Sequence, residues 1–131
     1  MKPTSIPSTG SSQISKILSE MNAAGNFPIA IVTDQHGFPL ASAFNQGEDP
    51  ETQSAVVALI QKTALQTEMQ LGMGQTDEIS LFDAQGRRLV CRPFDANGYR
   101  LILAVQISDR HQSYRRLTNK AIREIKRAWK L

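Results

Sequence analysis

The chain has 131 residues, of which 40% are hydrophobic and 21% charged. That suits one globular domain with a core of its own and leaves little room for a second. A single cysteine, Cys91, excludes an intrachain disulfide and points to a reducing, cytoplasmic setting. The longest apolar runs, such as Leu101 to Val105, fall far short of the ~20 residues that cross a bilayer. The opening MKPTSIPSTGSSQ has no apolar run of the secretory type.

The net charge of +3 is unevenly spread. Residues 109–131 carry eight basic and two acidic side chains, whereas residues 1–108 carry seven basic and ten acidic. A mildly acidic body thus ends in a strongly basic tail. Nucleic acid, an anionic membrane or an acidic protein surface could each answer such an asymmetry.

In chain order, residues 1–12 are rich in Ser, Thr, Pro and Gly and read as a flexible lead-in; residues 13–131 form one domain. Ile14, Ile17, Leu18 and Met21 mark one face of a first helix. Ser11 or Ser12 is its expected cap, and Gly25 its expected left-handed stop. The β-branched run Ile29 to Thr33 predicts a buried strand. A D-x-x-G turn, Asp34-Gln35-His36-Gly37, leads into a returning strand from Phe38 to Phe44, where Pro39 implies an edge or a bulge. Asp49-Pro50-Glu51 opens a long helix that stops at Gly72 or Gly74. Thr76 to Asp83 predicts a strand, Asp83 to Gly86 repeats the D-x-x-G turn, and Arg87 to Phe94 is the next strand. Asn97-Gly98 makes a tight hairpin into Tyr99 to Ile107. Asp109 and Gln112 resemble a capping pair for a last helix with Tyr114, Leu117, Ala121, Ile125 and Trp129 on one stripe. The order is α-β-β-α-β-β-β-α: an α+β fold in which a five-stranded, mostly antiparallel sheet carries helices on its faces.

The long middle helix points to a partner. Its pattern predicts that Val56, Leu59, Ile60, Thr63, Ala64, Thr67 and Leu71 lie on the sheet. On a different side Ala58, Leu65 and Met69 form a second apolar stripe, and between Glu51 and Asp77 only Lys62 and Glu68 are charged. A surface helix of this length normally carries a well-charged outer face, so the second stripe predicts burial against another chain, most simply in a two-fold dimer.

Catalytic chemistry is poorly supported. No phosphate-binding glycine motif is present, since Gly72-Met73-Gly74 lacks the strand and helix that would cradle phosphate. His36 and His111 lack neighbours at metal-ligand spacing, Cys91 alternates inward with Leu89, and the acids sit in turns and caps. No catalytic residue, cofactor or metal is therefore expected, and the chain reads as a non-enzyme. The basic last helix offers Arg115, Arg116, Lys120, Arg123 and Arg127 as a partner-binding face, although Tyr114 and Trp129 belong to its apolar stripe and leave no aromatic residue to stack on bases.

The sequence resembles the roadblock family, which includes dynein light chains and regulators of small GTPases. Ile31-Val32-Thr33-Asp34-Gln35-His36-Gly37-Phe38-Pro39-Leu40-Ala41-Ser42 carries the resemblance: a strand, its D-x-x-G turn and the following L-A-S strand. The long helix after Asp49, the second D-x-x-G hairpin ending in Arg87-Arg88-Leu89-Val90, and Leu101-Ile102-Leu103-Ala104-Val105 fit the same layout over about residues 13 to 130. The resemblance implies a homodimer built from the middle helix and the adjacent strand, with Ala58, Lys62, Leu65, Met69, Ile79 and Leu81 as interface candidates. It also implies a cytoplasmic, non-enzymatic regulator or scaffold of a Ras-like small GTPase. The strongly basic last helix is not a family hallmark, and it sustains an alternative reading as a nucleic-acid or anionic-surface module. A pocket-bearing sensor, as in profilin- or PAS-like sandwiches, is a third reading that the pattern neither supports nor excludes.

Overall fold

A computed structural model describes residues 10–129; residues 1–9 of the lead-in expected over residues 1–12, Lys130 and Leu131 lie outside the described residues. The elements are α1 (Ser11–Gly25), β1 (Ile29–Asp34), β2 (Pro39–Phe44), α2 (Pro50–Leu71), β3 (Ile79–Phe82), β4 (Arg88–Ala96), β5 (Tyr99–Ile107) and α3 (Arg115–Ala128). The expected order is observed, and the five strands form one sheet in the order β2-β1-β5-β4-β3 with every pair antiparallel. No helix among the described residues is long and apolar enough to cross a membrane.

The sheet separates two cores. Against one face α1 and α3 bury Ile14, Leu18, Ala121, Ile125 and Trp129 onto Val32, Val90, Phe94, Leu103 and Val105. Against the other face α2 buries Val57 onto Ile29, Ile31, Cys91, Ile102 and Ala104. The Cys91 thiol is 1% exposed, and burial pushes its pKa up to about 12, so it stays a protonated packing group.

Local chemistry sets the boundaries. Both D-x-x-G turns take one form: Asp34 Oδ1 accepts from the His36 and Phe38 amides, Asp83 Oδ1 accepts from the Gln85 and Arg87 amides, and Gly37 and Gly86 hold φ near +84° and +88°. Such a φ strains any residue with a Cβ. Asn97 and Gly98 are both left-handed, as a two-residue hairpin requires. Asp49 caps α2 by accepting from the Glu51 and Thr52 amides. Pro39 lies on an edge strand whose ladder shifts between Val32 and Thr33, so the edge and the bulge are both present.

Four local expectations need correction. Ser11 and Ser12 are the first helical residues rather than caps or lead-in, because the Ser11 hydroxyl donates instead to the Leu40 carbonyl at 2.8 Å. Gly25 is the last buried residue of α1, and Asn26 takes the left-handed position at φ 54°; a Cβ on Gly25 would overlap the Phe27 ring. Asp109 and Gln112 do not cap α3. Asp109 turns its own loop by accepting from the His111 amide, Gln112 donates to the Gly25 carbonyl, and the helix starts at Arg115. Finally, β3 covers only Ile79–Phe82, because Thr76 is held back by the Glu68 carboxylate through its amide and its hydroxyl.

Candidate functional site

The middle helix is rotated about a quarter turn from the orientation its apolar pattern predicts. Gln53, Ser54, Val57, Gln61 and Ala64 are buried, with Ile60 half-buried beside them, whereas Val56, Leu59, Thr63, Thr67 and Leu71 are exposed. The cause is polar: Gln53 Nε2 donates to the Ala104 carbonyl at 3.2 Å, and Gln53 Oε1 accepts from Gln106 Nε2 at 2.6 Å. Hydrogen bonding to the sheet makes a buried glutamine affordable, and a hydrophobic pattern cannot register it.

The rotation turns Leu59, which is 66% exposed, toward β3. With Thr63, Thr67, Met73, Ile79 and Leu81 it lines an apolar groove of about 410 Å³ between α2 and the edge strand. The six interface candidates divide accordingly. Ile79 and Leu81 line the groove. Ala58 is half-buried under the β1–β2 turn, where a Cβ on Gly37 would come within 2.8 Å of the Ala58 Cα. Lys62, Leu65 and Met69 are exposed and do not line the groove.

The two sheet edges are treated differently. On β2, carbonyls accept from α1 side chains, Leu40 from Ser11 and Ala43 from Asn22 Nδ2 at 3.1 Å. Among the described residues no side chain bonds to the backbone of β3, and its outer side is open. An open edge is a template for pairing with another strand, whereas side chains and proline blunt such an edge.

Although short, β3 is pinned at its start. Glu78 accepts from Ser80 Oγ at 2.9 Å, from the Tyr114 hydroxyl and from Arg115, and Arg92 Nε stands 3.9 Å away. Arg92, 7% exposed, donates in turn to Thr118 and Asn119, each at 2.8 Å. Arg115 also pairs with Asp77, which removes it from the free basic face expected of α3. The Arg88 guanidinium lies over the Phe82 and Tyr114 rings. Burial pushes the Glu78 carboxyl up, but hydrogen bonds from Tyr114, Ser80 and Arg115 outweigh it and hold the group below the usual carboxylate range. A depressed folded-state pKa stabilises the fold above the unfolded value of about 4.3 and ceases to do so as pH falls through the folded value. Glu78→Gln should therefore be less stable than wild type at neutral pH, with the gap closing below about pH 4. Urea unfolding at several pH values measures this; a gap independent of pH would show that the charge does not pin the strand.

Among the described residues no three His, Cys, Asp or Glu side chains gather as metal ligands. Arg92 and Glu78 escaped the sequence reading; the one available signal was a charged residue in the inward row of Val90 and Phe94.

No family model matches the sequence, and no curated protein matches it. Solved structures do. Myxococcus xanthus MglB superposes with a TM-score of 0.69 at 16% identity, covering 89% of this chain and 91% of that one. An MglB with a tetrameric arrangement gives 0.72 at 17% identity, covering 92% and 90%. A Roadblock/LC7 domain from Streptomyces avermitilis gives 0.64 at 15% identity, covering 86% and 92%. With its three helices and antiparallel sheet in the matching order, the chain has the roadblock fold.

Proposed function

We propose that the chain is a non-enzymatic, homodimeric regulator of a Ras-like small GTPase. The observation that carries the reading is the open β3 edge beside an apolar groove, in a fold shared with MglB and a Roadblock/LC7 domain. Two copies pair β3 with β3 antiparallel across a two-fold axis, which joins the sheets and closes the groove flank of α2 over the seam. Self-association of an MglB in a tetrameric arrangement supports an assembling surface on this fold. Leu65, 46% exposed, and Met69, 83% exposed, then remain uncovered on the α2 face and available to a partner.

Regulation without catalytic residues works through the partner: a surface that binds one state of the GTPase switch segments better than the other shifts their population. The expected result is that the chain alone does not hydrolyse GTP, whereas adding it to its GTPase changes the rate of hydrolysis or of nucleotide exchange. Hydrolysis by the chain alone would remove the non-enzymatic reading.

A further inference from the structure

The outward side of α3 is basic. On a helical projection at ~100° per residue, Arg116, Lys120, Arg123 and Arg127 fall within one narrow stripe. It lies opposite the buried Thr118, Ala121, Ile122 and Ile125. All four cations are exposed, and among the described residues none takes part in an ion pair. Twelve residues of helix carry them along about 16 Å. Like charges three and four residues apart repel and weaken a helix, so the stripe works against the fold that displays it. Lys16 and Lys126 flank it, with Glu20 and Glu124 in the α1–α3 groove as the nearby acids.

The direction of these ridges follows from the proposed dimer, on which this inference rests. A two-fold axis between antiparallel β3 strands is perpendicular to the sheet. Both α2 helices then lie on one face of the joined sheet, and both α3 helices on the other. Two straight cationic ridges thus point the same way. We propose that this face of the dimer docks on an anionic lipid bilayer.

The composition of the ridge favours a bilayer over nucleic acid. It contains no Asn, Gln or aromatic side chain to read or stack on bases: Asn119 is held by Arg92, Tyr114 by Glu78, and Trp129 is buried. Lacking an apolar wedge as well, the contact is electrostatic and salt-sensitive. It also leaves the α2 face, with Leu65 and Met69, directed away from the lipid toward a partner.

The test is sedimentation of the full chain with phosphatidylcholine vesicles with and without phosphatidylserine. Wild type should bind only the vesicles containing phosphatidylserine and release them at about 1 M salt. Each cation near such a surface contributes about fivefold in affinity, so Arg116→Ser, Lys120→Ser, Arg123→Ser and Arg127→Ser together should cost more than about a hundredfold. The pairs Arg116→Ser with Lys120→Ser and Arg123→Ser with Arg127→Ser should each cost about 25-fold, which keeps the test open if the quadruple variant fails to fold. Arg→Lys replacements at 116, 123 and 127 should retain binding. Indifference to phosphatidylserine, binding unchanged in the serine variants, or tighter binding to a mixed-sequence DNA duplex would each overturn the proposal. Light scattering in the same buffer separates the two claims: a dimer that ignores the vesicles defeats the ridge alone, and a monomer that binds them defeats the pairing alone.

Discussion

Leu59→Asp combined with Leu81→Asp yields a folded monomer, whereas Leu65→Asp combined with Met69→Asp leaves the dimer mass unchanged. Leu59 and Leu81 face each other across the groove beside the open edge, 66% and 51% exposed in the single chain. Covering that exposed area is worth about 1 kcal/mol per leucine. A two-fold axis counts each residue twice, so the lost burial is about 4 kcal/mol, close to a thousandfold in dissociation constant. Desolvating four new carboxylates raises the cost further. Leu65 and Met69 are as apolar but do not line the groove, so their acids stay in water. Light scattering with circular dichroism reads both results. A dimer in the first variant, or a monomer in the second, would relocate the interface to the stripe that the apolar pattern alone favours.

Gly37→Ala destabilises the protein by about 1–3 kcal/mol more than Gly86→Ala, a further drop of about 4–12 °C in melting temperature. The two glycines occupy equivalent positions in matching turns, with φ +84° and +88°, so the conformational penalty of a Cβ, about 1–2 kcal/mol, is common to both. Their neighbours differ. A Cβ at 37 would meet the Ala58 Cα at 2.8 Å and its amide nitrogen at 2.9 Å, and helix backbone yields only if α2 moves. At 86 the nearest atom is the Arg110 Cβ at 3.2 Å, and the next two lie farther out on the same flexible side chain. Thermal melts of both variants isolate the contact that seats α2 on the β1–β2 turn. Equal losses would mean that the turn does not support the helix.

These two cases mark where the sequence is informative. The D-x-x-G and Asn-Gly turns, the Asp49-Pro50 helix start and the β-branched strands are legible because each depends on the backbone preference of a few adjacent residues. The antiparallel pairs β1–β2, β3–β4 and β4–β5 follow from those turns, whereas the β1–β5 pairing that sets the strand order is a long-range contact that no turn specifies. The rotation of α2 is not legible: Gln53 is buried and Leu59 exposed, a choice made by the Ala104 carbonyl and Gln106 from a distant strand. Arg115 looks like any other cation of the basic helix until the fold brings Asp77 and Glu78 to it. Likewise the openness of β3, set against the α1 side chains that occupy β2, is a property of the sheet rather than of any segment. The resemblance to roadblock proteins supplied the correct fold through an ordered set of short motifs, each individually weak.

The most direct test of the regulatory account is capture of partners from a lysate of the source organism, loaded in parallel with a GTP analogue and with GDP. The account predicts recovery of a small GTPase, enriched in one nucleotide state and abolished in neither lysate by high salt. Recovery of no GTPase in either state, with lipid or nucleic acid retained instead, would contradict it and leave the basic helix as the working surface.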